Sequence, residues 1–88
     1  MVTKTIAVTT RLGLHARPAA MFVQEASKFK SKILVSKGKT EVNGKSVMGL
    51  MLLAAEHGAK VTISAAGPDE ADALKALEGL FQRKFDEE

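Results

Sequence analysis

Apolar and polar residues alternate from Val2 to Thr9, with Val2, Ile6 and Val8 on one side and Thr3, Thr5 and Thr9 on the other. A period of two marks a strand with one buried face. Arg11-Leu12-Gly13-Leu14 breaks the alternation and reads as a loop. From Ala16 the period lengthens, and Ala19, Phe22, Val23, Ala26 and Phe29 form the stripe of a helix buried along one side. Pro18 falls in the first turn, where a missing N–H breaks no helical bond. This helix is expected to fade between Ser27 and Lys30.

Lys32 to Ser36 reads as a second strand, Lys37-Gly38-Lys39 as a turn and Thr40 to Val42 as a short third strand, so the two pair as a hairpin. Asn43-Gly44 is the next turn signal. Ser46 is placed to cap a short helix running from Val47 to about Ala55, with Gly58 closing it at the C′ position that favours glycine. His57 then lies near the negative end of that helix, which a histidine complements, and it receives no further role. Lys60 to Ala66 is the fourth strand, with Val61, Ile63 and Ala65 on one side. Gly67-Pro68-Asp69-Glu70 opens a last helix with proline near its start and acids in its first turn. Its buried stripe is Leu74, Leu77, Phe81 and Phe85. The order βαββαβα predicts an α+β fold, an open-faced β-sandwich. In it a four-stranded, mostly antiparallel sheet carries three helices on one face and buries all three stripes at once.

Eighty-eight residues leave room for one domain, residues 1–88. There is no cysteine, so neither disulfides nor a thiolate metal site holds the fold, and no metal or cofactor is expected. The first residues carry no apolar run of signal-peptide length, and the longest apolar run, Val47 to Ala55, is far too short to span a bilayer. A soluble, cytoplasmic protein is expected. The net charge is +3. Lys28, Lys30, Lys32, Lys37, Lys39 and Lys45 make the middle of the chain basic, and Asp86 to Glu88 make its end acidic. Such a field steers a protein toward acidic partners or toward nucleic acid. With no Trp or Tyr and only four Phe, stacking platforms for single strands are scarce, so nucleic acid is the weaker alternative.

The candidate chemistry sits where the first loop meets the first helix. His15 immediately precedes the helix, and the N–H groups of Ala16 and Arg17 point out of its end. A helix N-terminus favours an anion by about 0.3–1 kcal/mol and disfavours a cation, so a neutral, nucleophilic imidazole is expected there. A phosphoryl group on that ring would place a dianion beside those donors and beside Arg17. A unit charge pair at about 4 Å is worth roughly 4 kcal/mol at an effective dielectric of 20, less when exposed. The guanidinium therefore outweighs the helix end. Taken alone, a histidine at a helix start is more often a plain surface residue, and Ser46 is first of all a cap.

Gly13-Leu14-His15-Ala16-Arg17-Pro18-Ala19 resembles the active-site signature of HPr, the phosphocarrier family of the bacterial phosphoenolpyruvate-dependent phosphotransferase system. Lys45-Ser46-Val47-Met48-Gly49 resembles that family's regulatory-serine motif, and chain length, strand order and the opening of the last helix also fit. The resemblance implies that His15 accepts a phosphoryl group on Nδ1 from Enzyme I and passes it to the A domain of a sugar permease. It also implies that Arg17 meets the phosphate and that Ala20, Val47, Met48 and Met51 form the shared partner surface. An ATP-dependent kinase/phosphorylase acting on Ser46 is implied as well, a charge there weakening docking to Enzyme I. Such a carrier is no enzyme, since it completes no cycle alone, and it is expected to be monomeric. Leu52 stands where members with this serine motif often have a small polar residue, which counts against a corepressor role with a catabolite control protein. The alternative is an HPr-like regulator of carbon or nitrogen use with no sugar permease to feed.

Overall fold

The computed structural model describes residues 1–53 and 55–86. Its elements are β1 (Val2–Ala7), α1 (Ala16–Ala26), β2 (Lys32–Lys37), β3 (Thr40–Asn43), α2 (Val47–Leu52), β4 (Lys60–Ala66) and α3 (Glu70–Gln82), followed by a 3-10 turn over Lys84–Asp86. The four strands form one sheet in the order β1-β4-β2-β3, and each neighbouring pair is antiparallel. The expected α+β architecture is the one observed, an open sheet with helices on one face.

The register explains the layering. Ile33 and Val35 of β2 alternate with exposed or half-buried neighbours, as do Val61, Ile63 and Ala65 of β4, and all five are fully buried. On β1, Val2 and Ile6 lie opposite Ala65 and Val61 and so share that face. Lys4, opposite Ile63, interrupts this apolar row, and its ammonium reaches Glu78 of α3 at 3.3 Å. Against the sheet pack Ala19, Phe22 and Ala26 from α1, Leu50 from α2, and Ala73, Leu77, Leu80 and Phe81 from α3. Each fully buried Val, Ile, Leu or Phe contributes about 1.5–3 kcal/mol over its exposed state.

Several boundaries depart from the sequence reading. β1 stops at Ala7, although Val8 stays buried through backbone bonds to Ala59 and Gly58 rather than a strand ladder. α2 ends at Leu52 rather than near Ala55, because Leu53 turns into the core and the chain bends to hand the carbonyl of Ala55 to the amide of Leu14. Gly58 is accordingly not a helix C′ residue. It sits at φ +89° in the turn before β4 and donates its amide to Val8. Ala54, Glu87 and Glu88 lie outside the described residues, and with them part of the expected reach of this helix and most of the acidic end. In α3 the buried row is Ala73, Leu77, Leu80 and Phe81, with Leu74 half-buried. Phe85 is buried as expected but lies beyond the helix. Lys84, Phe85 and Asp86 all take positive φ, and this left-handed turn brings the Phe85 ring edge-on to Phe81 at 4.8 Å.

Asp69 holds the helical layer to the sheet. It stands at the N-cap of α3, yet its carboxylate does not cap that helix. It instead accepts the amides of Lys30 and Ser31 and the hydroxyl of the buried Ser31. The Ser31 hydroxyl first, then the Lys30 amide, holds the Asp69 carboxyl below its ordinary pKa.

Candidate functional site

His15 is the N-cap of α1, extended at φ −76° and ψ −173°, and its ring does not cap the helix. Its carbonyl receives the first helical bond, from Ala19 at 3.0 Å. The amides of Ala16 and Arg17 precede that bond and belong to the first turn, whose N–H groups have no intrahelical acceptor. Pro18 has no N–H to leave unpaired. The His15 ring is half-buried, while Arg17 is exposed one residue into the helix.

The loop that delivers His15 is tightly specified. The buried hydroxyl of Thr10 donates to the Gly13 carbonyl at 2.7 Å, and the Gly13 amide returns to the Thr10 carbonyl at 3.1 Å. Gly13 sits at φ +73°, and a Cβ there would run into the carbonyl oxygen of Ala55 and come within 2.8 Å of the Glu56 Cα. The next amide, Leu14, donates to Ala55 at 2.8 Å. Glycine is thus required by backbone twist and by the close passage of residues 55–56.

Beside the His15 ring lies a shallow hollow of about 270 Å³ lined by Leu12, Leu14, His15, Met51, Ala55 and Glu56. It unites His15 with Met51 of α2. Met48, Met51 and Leu52 are strongly exposed for apolar residues, at 76%, 48% and 74%, and Leu12 is 74% exposed. Val47 and Ala20 are half-buried, on helices α2 and α1 that pack together. Exposed apolar surface thus reaches from the hollow along α2. Ser46 stands at the opposite end of α2 from this hollow. Its hydroxyl accepts the Gly49 amide at 3.0 Å, so the cap expected from sequence is formed. The neighbouring Lys45 ammonium donates to the Phe29 carbonyl at 2.8 Å, tying the entry of α2 to the end of α1.

Four residues near the site escaped the sequence reading. Leu12, Glu56 and the buried Thr10 carried no signal beyond their place in or near a loop. The sequence places His57 near the end of α2, but that helix stops five residues earlier, and the ring instead meets the Thr10 carbonyl through Nδ1 at 3.1 Å. Among the described residues no group of acidic or histidine side chains is arranged to hold a metal ion, and no helix is long and apolar enough to cross a membrane.

A family model described as "PTS HPr component phosphorylation site" matches residues 2–83. The phosphocarrier protein HPr of Treponema pallidum is 52% identical over 88 residues, spanning all of both chains. The HPr-like protein Crh of Bacillus subtilis is 46% identical over 84 residues, covering 96% of this chain and 99% of that one. A crystal structure of HPr from Thermoanaerobacter tengcongensis matches with a TM-score of 0.97 at 52% identity, over 100% of this chain and 99% of that one.

Proposed function

The chain belongs to the HPr family of phosphotransferase-system phosphocarriers, and from that premise we propose that His15 is the residue that carries the phosphoryl group. The observation that carries the reading is the placement of a half-buried imidazole at the N-cap of α1, with Arg17 in the first turn and an apolar hollow alongside. The Nδ1 lone pair attacks phosphorus, the bond from phosphorus to the donor breaks, and the phosphoryl group rests as a dianion beside the helix end. The amides of Ala16 and Arg17 and the guanidinium of Arg17 stabilise it there. This grip is light and open to solvent, as a relay requires. Binding that does not strengthen in the transition state would slow release to the next acceptor without speeding transfer.

Enzyme I is the donor in this reading, and the A domain of a sugar permease is the acceptor. Both dock on Ala20, Val47, Met48 and Met51, whose exposed methionines adapt to different partners. The chain acts as a cytoplasmic monomer that completes no reaction by itself. Ser46 is the regulatory residue, modified by an ATP-dependent kinase/phosphorylase. A phosphate on its hydroxyl keeps an acceptor for the Gly49 amide and adds about −1.5 to −2 charges next to Val47 and Met48. The helix then survives while docking to Enzyme I weakens. The Crh relatives favour a second reading, a regulator with no permease to feed.

Incubation with phosphoenolpyruvate and Enzyme I is expected to label the chain with acid-labile phosphate that a permease A domain then discharges. Labelling that persists in His15→Ala would overturn the site. Charging without discharge to any permease A domain would favour the regulatory reading.

A further inference from the structure

We propose that His57 is a positioning residue for phosphoryl transfer, holding the loop that carries His15 by hydrogen bonding to the carbonyl of Thr10. The inference rests on His15 as the phosphoacceptor.

The Thr10 carbonyl is the centre of the loop. It accepts the Gly13 amide at 3.1 Å, and the His57 Nδ1 approaches the same oxygen at 3.1 Å from a separate part of the chain. A carbonyl only accepts, so Nδ1 is the nitrogen that carries the hydrogen in this contact. The segment presenting His57 is itself fixed. Ala59 receives the Val8 amide at 2.7 Å, and Gly58 donates to the Val8 carbonyl at 2.8 Å. The ring therefore reaches Thr10 from an anchored backbone. On the other side, the buried Thr10 hydroxyl holds the Gly13 carbonyl, and Leu14 is held by Ala55. From Thr10 to Leu14 there is neither helix nor strand, and Leu12 points into solvent. These bonds fix the backbone of the loop that leads directly into His15. Transfer rates depend steeply on such placement.

The test is single-turnover phosphorylation of the full chain by phospho-Enzyme I, with hydrogen exchange of the Gly13 amide measured in parallel. His57→Ala is expected to slow transfer about five-fold, the factor matching one net hydrogen bond. The donor concentration at half-maximal rate stays unchanged, because the docking residues are untouched. Gly13 exchange should rise by about the same factor. His57→Asn places a donor nitrogen at the same distance from the backbone as Nδ1 and should restore both readouts. His57→Asp offers only acceptors and should restore neither. Wild-type rate in His57→Ala, or an Asn variant no better than Ala, would overturn the proposal while leaving His15 in place. A wild-type chain that takes no phosphate would overturn the phosphoacceptor reading and this proposal with it.

Discussion

Gly13→Ala tests whether the loop before His15 is specified by close packing or only by backbone twist. Two effects are separable, because Gly38 also has positive φ, +61°, but a Cβ there meets nothing within 4 Å. At Gly38 an alanine carries the left-handed penalty of about 1–2 kcal/mol, offset by about 0.4–1 kcal/mol of lost freedom in the unfolded chain. The net is about 1 kcal/mol. At Gly13 the same term applies, and the new methyl also collides with the Ala55 carbonyl and presses on the Glu56 backbone. Those are main-chain atoms that cannot rotate away, and the Ala55 carbonyl is already engaged by Leu14. Overpacking of that kind costs about 1–3 kcal/mol. Gly13→Ala should therefore be destabilised by about 2–4 kcal/mol, against about 1 kcal/mol for Gly38→Ala. Urea unfolding followed by circular dichroism, with unchanged m-values, reads the difference. Equal losses in the two variants would refute the claim that residues 55–56 clamp the loop.

Other expectations follow from the same geometry. The Asp69 carboxyl is held below its ordinary value of 3.8, chiefly by the Ser31 hydroxyl, so its stabilisation is complete above that pH and is lost as pH falls through the lower folded value. Urea midpoints of wild type and Asp69→Asn should therefore converge only in acid, and parallel pH profiles would contradict this. Phe85→Ala should cost about 3–5 kcal/mol, because a fully buried ring packed edge-on against Phe81 is removed; a loss below about 1 kcal/mol on thermal unfolding would mean the left-handed turn offsets it. Ser46→Ala should cost about 1 kcal/mol by freeing the Gly49 amide, and unchanged stability would show that this cap contributes nothing. Arg17→Ala should slow charging of His15 without unfolding the chain, and an unaltered rate would remove Arg17 from the transfer site.

The elements that sequence revealed most reliably are those whose pattern is enforced by one buried face. β2 and β4 alternate because Ile33, Val35, Val61, Ile63 and Ala65 all face the helices, and α1 shows its stripe for the same reason. What remained hidden depends on contacts distant in sequence. α2 looked longer because Leu53 and Ala55 continue its apolar run, but they are buried by folding back toward Leu14. Phe85 obeys the four-residue spacing from Phe81, so its burial was legible; the left-handed turn that delivers it was not. Asp69 looked like a first-turn acid and instead spans to Ser31, 38 residues away. At the site, the His15 and Ser46 motifs are local and could be read directly. Thr10 and His57 meet only through the fold, and the place of His57 depends on where α2 ends, which the apolar run through Ala55 conceals.

His15, as the proposed carrier of the phosphoryl group, has one rival histidine in the chain, His57. Nuclear magnetic resonance of ring-¹⁵N-labelled protein, charged by Enzyme I and phosphoenolpyruvate, distinguishes the two directly. A phosphorus–nitrogen coupling on the Nδ1 of His15, with the His57 ring uncoupled, is the predicted result. Coupling on His57, or phosphate retained with neither ring coupled, would contradict it.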